Sequence, residues 1–311
     1  MADVMGIGAA LFDMLMTATR MPAEDTKLQS DSARSQCGGP CATALVAAAK
    51  LGVSAGYIGT LGDDLYGCHI RQQMERYGVE MAATRTIPGA TSFHSFVLLN
   101  TQTATRTCIW NRGNLPPPAP EDIDPALIAS ARVLHLDGHQ LEAAIRAAQL
   151  AREAGVAVSL DAGAPYPGIQ RLLPLVDILI PSEECALALT GCAAAPEAAQ
   201  ALARQYSPQV LILTQGRRGG FIHTPQGPVR YPVYPVEAID TNGAGDTFHG
   251  AFLAARLRGL DVPQAAAFAS AASALKCTRF GAQEGIPGWT ETLAFQQSHQ
   301  GVLVSDKKEK E

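Results

Sequence analysis

The chain has 311 residues, with 24 basic against 29 acidic side chains and a formal net charge of -5. It has no Lys/Arg block before its last few residues, so no electrostatic footprint for nucleic acid or an anionic membrane, and no apolar run reaches the ~20 residues that span a bilayer. The N-terminus lacks the basic region of a signal peptide, so cytoplasmic residence is expected, and the many small residues with few aromatics favour helices packed closely on a sheet.

In chain order, residues 4–11 read as a strand ending near Asp13, residues 41–51 as an alanine-rich helix stopped by Gly52, and residues 65–76 as a helix after a strand at Tyr57-Ile58. Between 82 and 110 the pattern turns to short Thr/Phe/Val/Ile-rich stretches broken by Pro88-Gly89 and Asn100-Thr101, the signature of hairpins. Pro116-Pro117-Pro118 and Pro120 mark a rigid return. Strands at 133–136, 156–160, 178–180 and 210–213 then alternate with helices at 141–154 and 183–189, followed by helices at 246–258 and 263–277. Such alternation predicts an α/β fold: a doubly wound, mostly parallel sheet with helices on both faces. We expect one domain over residues 1–300, with a small β-sheet lid built from about 14–37 and 82–112, and a disordered charged tail at 301–311.

The run Asp240-Thr241-Asn242-Gly243-Ala244-Gly245-Asp246 puts a carboxylate at the mouth of a small-residue turn opening a helix. Backbone N–H groups of Gly243, Ala244 and Gly245 can converge on an anion there, helped by the helix dipole. Asp246 can take a proton from an attacking hydroxyl. A mere helix-capping aspartate is the bland alternative, and the glycines in front of it argue against that. Gly38-Gly39, feeding the helix at 41–51, lets backbone approach a polyol closely, although a tight turn explains the pair equally well. Thr214-Gln215-Gly216-Arg217-Arg218-Gly219-Gly220 follows a strand and could hold phosphate or ribose.

Asp13 and Asp137-Gly138-His139 sit at strand ends, where ligands bind in such sheets, and either could simply cap a turn. Lys27 and Arg106 lie in or beside the lid and could meet an anionic group, a solvated charge being the plainer reading. His249, inside a helix, reads as a packed or surface side chain. The seven cysteines form no Cys-x-x-Cys pair and read as buried, reduced thiols. There is no Gly-x-x-x-x-Gly-Lys-[Ser/Thr] loop, and Gly6-Ile7-Gly8 lacks the third glycine of a dinucleotide fingerprint, which disfavours P-loop and hydride-transfer enzymes.

Together, Asp240 to Asp246 and the stretch from Gly38-Gly39 through Gly59-Thr60-Leu61-Gly62-Asp63-Asp64 resemble the two signatures of the ribokinase-like (PfkB) family of carbohydrate and nucleoside kinases. The resemblance implies a ribokinase-like fold with ATP and Mg²⁺ as phosphoryl donor. It makes Asp246 the base and the amides of Gly243, Ala244 and Gly245 the anion hole. It places Asp13, Lys27, Gly38, Gly39, Thr43, Arg106 and His139 around the acceptor, and Thr214, Gly216, Gly219 and Asn242 around the nucleotide. Ser182-Glu183-Glu184-Cys185 departs from the family's Asn-x-x-Glu, leaving Glu183 or Glu184 to position Mg²⁺, or water alone. Asp240 falls near a monovalent-cation (K⁺) site of some members.

Within the family, residues 38–44 and 274–279 look most like the sulfofructose kinase branch, whose sulfonate-contacting asparagine and arginine align with Ile109 and His139. The expectation is therefore a kinase acting on a primary hydroxyl of a small sugar or polyol. A nucleoside kinase with Phe93, Phe96 and Trp110 as base wall and a silent sugar or nucleotide sensor are the alternatives, with a nicotinamide-dependent oxidoreductase weaker still. An exposed lid edge makes a homodimer through the lid plausible.

Overall fold

The computed structural model describes residues 2–103 and 105–304. The chain runs Val4–Ile7 (β1), Leu11–Ala18 (β2), Ser32–Gly38 (β3), Pro40–Lys50 (α1), Ala55–Gly62 (β4), Leu65–Arg76 (α2), Val79–Glu80 (β5), Thr84–Ile87 (β6), His94–Asn100 (β7) and Arg106–Asn111 (β8). It continues with Pro125–Ala129 (α3), Val133–Leu136 (β9), Leu141–Glu153 (α4), Ala157–Ala162 (β10), Ile178–Pro181 (β11), Glu183–Thr190 (α5), Ala195–Tyr206 (α6) and Val210–Thr214 (β12). Gly220–Ile222 (β13), Val229–Arg230 (β14), Ala244–Leu257 (α7), Val262–Cys277 (α8) and Trp289–Ser298 (α9) complete it.

Ten strands form one sheet in the order β14-β13-β12-β11-β10-β9-β1-β4-β5, with β6 also on β4. From β12 to β5 every pairing is parallel, and β13 and β14 add an antiparallel edge. The period-2 alternation of strand side chains divides two cores between the sheet's faces. Val4, Val133 and Ile212 point to the face covered by Leu45 of α1, Ile70 of α2, Phe252 of α7 and Phe268 of α8. Met5, Leu134 and Leu211 point to the other, under Ile128 of α3, Ala147 of α4, Cys185 of α5 and Leu202 of α6. Small residues let the helices close in: a Cβ on Gly250 of α7 would strike the carbonyl of Ala44 and stand 2.7 Å from the Ala47 Cβ, both on α1.

The four remaining strands form a second sheet, ordered β3-β2-β7-β8. Two boundaries differ from the sequence expectation. Residues 4–11 are two strands in two sheets, split at Gly8-Ala9-Ala10, because the Asp137 carboxylate takes the Ala9 amide at 2.7 Å and the Cys41 amide at 3.1 Å and bends the chain there. Asp13 is thus inside β2, not at a strand end of the large sheet. Residues 84–87, expected in the lid, pair with β4 of the large sheet. Helices α3, α6 and α9 were unread in the sequence: α3 is a single turn and α9 has little periodic contrast, whereas the apolar face of α6 at Ala195, Ala198, Ala199 and Leu202 was a legible signal that was missed. The tail from 305 onward lies outside the described residues. Among the described residues no helix is long and apolar enough to cross a membrane.

Candidate active site

The chemistry-bearing residues gather where the carboxyl ends of the large sheet's strands face the second sheet, as expected of an open α/β sheet. Asp13 is 5% exposed in β2, and its carboxylate accepts from Ser95 of β7. Burial raises its pKa above the ordinary value, opposed by hydrogen bonds from Ser95, Gln36 and Asn242 and by the charge of Arg106. Gly38 leaves room for it, because a Cβ there would stand 2.7 Å from Asp13 Oδ2 and force that carboxylate to move. Gly39 caps α1 at φ 99, a left-handed conformation in which any side chain would strike the Ala9 carbonyl. The Thr43 hydroxyl, one helical turn on, is buried with no hydrogen-bond partner among the described residues.

The turn before α7 faces this group. Gly243 caps the helix in the left-handed region at φ 76, with no side-chain cap. The Thr247 N–H and hydroxyl both donate to the Gly243 carbonyl, at 2.9 Å and 2.7 Å. The Ala244 amide donates to the Thr241 carbonyl at 3.2 Å, which removes it from the expected anion hole. Among the described residues the amides of Gly243, Gly245 and Asp246 have no acceptor, and they point from a positive helix end. Arg106 of β8 donates to the Thr241 hydroxyl at 3.2 Å, so the second sheet touches the turn directly. Asn242, expected on the nucleotide side, lies close enough to Asp13 to favour its charged form.

Asp246 is half-buried in the first turn of α7. Burial pushes its pKa to about 7, and the neighbouring Asp161 carboxylate pushes the same way. Asp161, at the end of β10, lies 3.2 Å from Nε2 of His249, these side chains being 7% and 5% exposed. Burial works to raise Asp161, but His249 and His135 outweigh it and leave its pKa below the ordinary value. Burial, with repulsion from His249, drops His135 to about 3. The site therefore holds one carboxylate kept ionised and another poised near neutrality, a division that suits acid–base work. The thiols at Cys37 and Cys41 are pushed up by burial, Cys37 to about 12, which makes them inert. Cys68 and Cys108, against the sequence reading, are exposed.

Two cavities open here. One of about 540 Å³ is bordered by Thr214, Gly216, Gly219, Ala244 and Gly245, with Val233, Val236 and Phe248 as apolar wall. The other, about 670 Å³, is lined by Ala9, Ala10, Phe93, Arg112, His139 and Tyr166 among others. His139 packs against Tyr166 with ring centroids 4.3 Å apart and planes tilted by 45°, and its Nδ1 accepts from Arg112 at 2.9 Å. Burial lowers the His139 pKa, against the pull of Asp137 and with the push of Arg112, so the ring is neutral and a guanidinium carries the charge.

Other expected residues stand apart. Lys27 is exposed between β2 and β3, with no hydrogen bond or ion pair among the described residues. Glu183 accepts from Gln215 at 2.9 Å with one oxygen and from Arg218 with the other, so the guanidinium already partners the charge that Mg²⁺ would use. Glu184 is exposed beside it. Asp240 is buried, with every oxygen already meeting a protein donor. Asp161 and Arg112 were missed in the sequence. Asp161 directly follows the strand read at 156–160, the same kind of position that singled out Asp137, and that signal could have found it.

The comparisons with known proteins agree with this fold. The chain is 30% identical over 285 residues to the ATP-dependent ribose-1-phosphate kinase of Halopiger xanaduensis, covering 91% of this chain and 94% of that protein. It is 28% identical to the ribokinase of Bacillus subtilis, over 92% and 97% of the two chains. The structure of Arabidopsis thaliana ribokinase complexed with ribose and ATP superposes with a TM-score of 0.82 at 26% identity, covering 94% of this chain and 98% of that one. The model of the pfkB family carbohydrate kinases matches residues 1–289. The chain belongs to that family, and it is a phosphotransferase that acts on a sugar hydroxyl.

Proposed function

We propose that this chain moves the γ-phosphoryl group of ATP to a primary hydroxyl of a small sugar or sugar-like polyol. One observation carries the reading: a single turn joins both half-sites, Thr241 and Gly245 bordering the 540 Å³ cavity while the Thr241 hydroxyl accepts from Arg106 of the second sheet at 3.2 Å. The cavity's size and mixed lining suit a nucleotide. Asp13 and the backbone at Gly38 and Gly39 hold acceptor hydroxyls, with the second sheet as lid. Asp246 accepts the hydroxyl proton as the oxygen bonds to the γ-phosphorus and the bond to ADP breaks. The free amides at Gly243, Gly245 and Asp246 stabilise charge on the transferring group.

Mg²⁺, which neutralises phosphate charge when bound with ATP, would be held by phosphate oxygens and water, with Glu184 the free carboxylate nearby; Glu183 is engaged by Arg218. The names of the relatives favour a sugar acceptor, whereas Phe93 and Tyr166 in the larger cleft could wall a nucleoside base. An ATP-coupled screen for ADP release over pentoses, hexoses, polyols, sugar phosphates, sulfosugars and nucleosides tests the reading. Turnover on sugars is expected; turnover on nucleosides alone would replace it, and sugar binding without transfer would indicate a sensor.

The outer edge of the second sheet motivates a further proposal, a homodimer. Edge strand β8 is exposed throughout, with Ile109 73% and Trp110 59% accessible, an apolar edge that proteins rarely leave bare. Sedimentation equilibrium is expected to give a dimer that Trp110→Asp dissociates. A monomer at all concentrations would exclude it.

A further inference from the structure

Lys276, in the last turn of α8, is 0% exposed. A buried ammonium is costly unless it is paired and hydrogen-bonded. Here Nζ donates to the Asp240 carbonyl at 2.8 Å and lies 4.0 Å from Asp240 Oδ2. The same aspartate ties three segments together. Its Oδ1 accepts the Asn242 amide at 2.8 Å, its Oδ2 accepts the Gly281 amide at 2.9 Å, and its own N–H donates to the Cys277 carbonyl at 3.1 Å. The Ile239 amide joins the Cys277 carbonyl at 2.8 Å. Whatever fixes Asp240 therefore fixes the start of the turn that presents Gly243, Gly245 and Asp246.

The family resemblance puts a monovalent cation near Asp240, and these residues do not fit one. Each oxygen of Asp240 already meets a protein donor, and a positive charge already sits against it. Burial pulls the Lys276 pKa below its ordinary value, while Asp240, Cys277 and Asp246 pull it up and Arg106 pulls it down.

We propose that the Lys276 ammonium is a built-in cation that positions Asp240 and the anion-binding turn, so that this enzyme needs no K⁺. The inference rests on the kinase reading for its activity readout, but not for its structural one. Lys276 is a positioning residue, acting through Asp240.

The test exchanges KCl for tetramethylammonium chloride at equal ionic strength, and measures both the thermal midpoint and turnover. For the native chain, neither is expected to respond to K⁺, turnover changing by less than about twofold. Lys276→Ala is expected to lose roughly tenfold or more in turnover, chiefly in kcat, and to regain several-fold of it, with a raised midpoint, in KCl only. Lys276→Met, apolar and of similar length, is expected to lose turnover without K⁺ rescue. A K⁺-specific stabilisation or activation of the native chain would overturn the proposal even if neither variant folds, as would a Lys276→Ala variant with native turnover. Should no acceptor be phosphorylated at all, the kinase reading fails, and the midpoint measurements still decide the cation's role.

Discussion

Asp246→Asn is expected to cut kcat by ~10²–10⁴-fold, the usual contribution of a positioned base, while leaving ATP binding largely intact. The same substitution is expected to stabilise the folded chain. Asp246 has a pKa of about 7 in the folded protein against the ordinary 3.8, because burial and Asp161 disfavour its charge. The folded state therefore holds a proton that the unfolded state releases. That contribution to stability is full below the unfolded value and is lost as pH rises to the folded one. Asparagine carries no charge to penalise, so the variant's thermal midpoint should match the native one at acid pH and exceed it by a growing margin up to neutrality. A gain of roughly 1 kcal/mol would appear as a few degrees. Activity has the opposite sign: the base works only when ionised, so native kcat/KM should climb with pH toward a plateau above about 7, and the climb should vanish in the variant. Near-native turnover in Asp246→Asn would remove the residue from the mechanism.

Gly243→Ala is expected to be almost as damaging, for a different reason. Gly243 sits at φ 76, where a side chain costs about 1–2 kcal/mol, and its Cβ would stand 3.0 Å from both the Cβ and the carbonyl oxygen of Ala282. The turn must shift, and its free amides shift with it. Loss of one such donor typically costs ~10²–10³-fold in kcat. Gly245→Ala is the control: nothing lies within 4 Å of a Cβ there, and the residue is in helix. It should leave stability unchanged and raise KM for ATP by narrowing the nucleotide cavity. Equal behaviour of the two variants in kcat, KM and midpoint would show that the left-handed turn has no special part.

What could be read from the sequence was whatever local geometry demands. The strand–helix alternation from 133 to 213 specified the parallel sheet, because its apolar segments are buried on both faces. The glycines at 38, 39 and 243 were legible because backbone conformation or close approach forbids other residues there. Relations set by topology were not legible. Asp161 meets His249 from a helix 88 positions away in sequence, read in isolation as merely packed. Glu183 looked free until β12 and the loop after it brought Arg218 alongside. That Asn242 lies beside Asp13 as well as in the turn was not legible, because a turn has two sides and only the position of β2 decides which of them the acceptor half meets. Lys276 entered only as part of the 274–279 resemblance, and its burial against Asp240 was not legible, since a lysine near a helix C-terminus ordinarily points into solvent.

The most direct test follows the phosphorus itself. With ATP, Mg²⁺ and an acceptor found by the screen, phosphorus NMR should show the γ-phosphoryl signal replaced by that of a sugar phosphomonoester, at a rate that collapses in Asp246→Asn. Release of inorganic phosphate without a monoester, or monoester formed equally fast by the variant, would contradict the account.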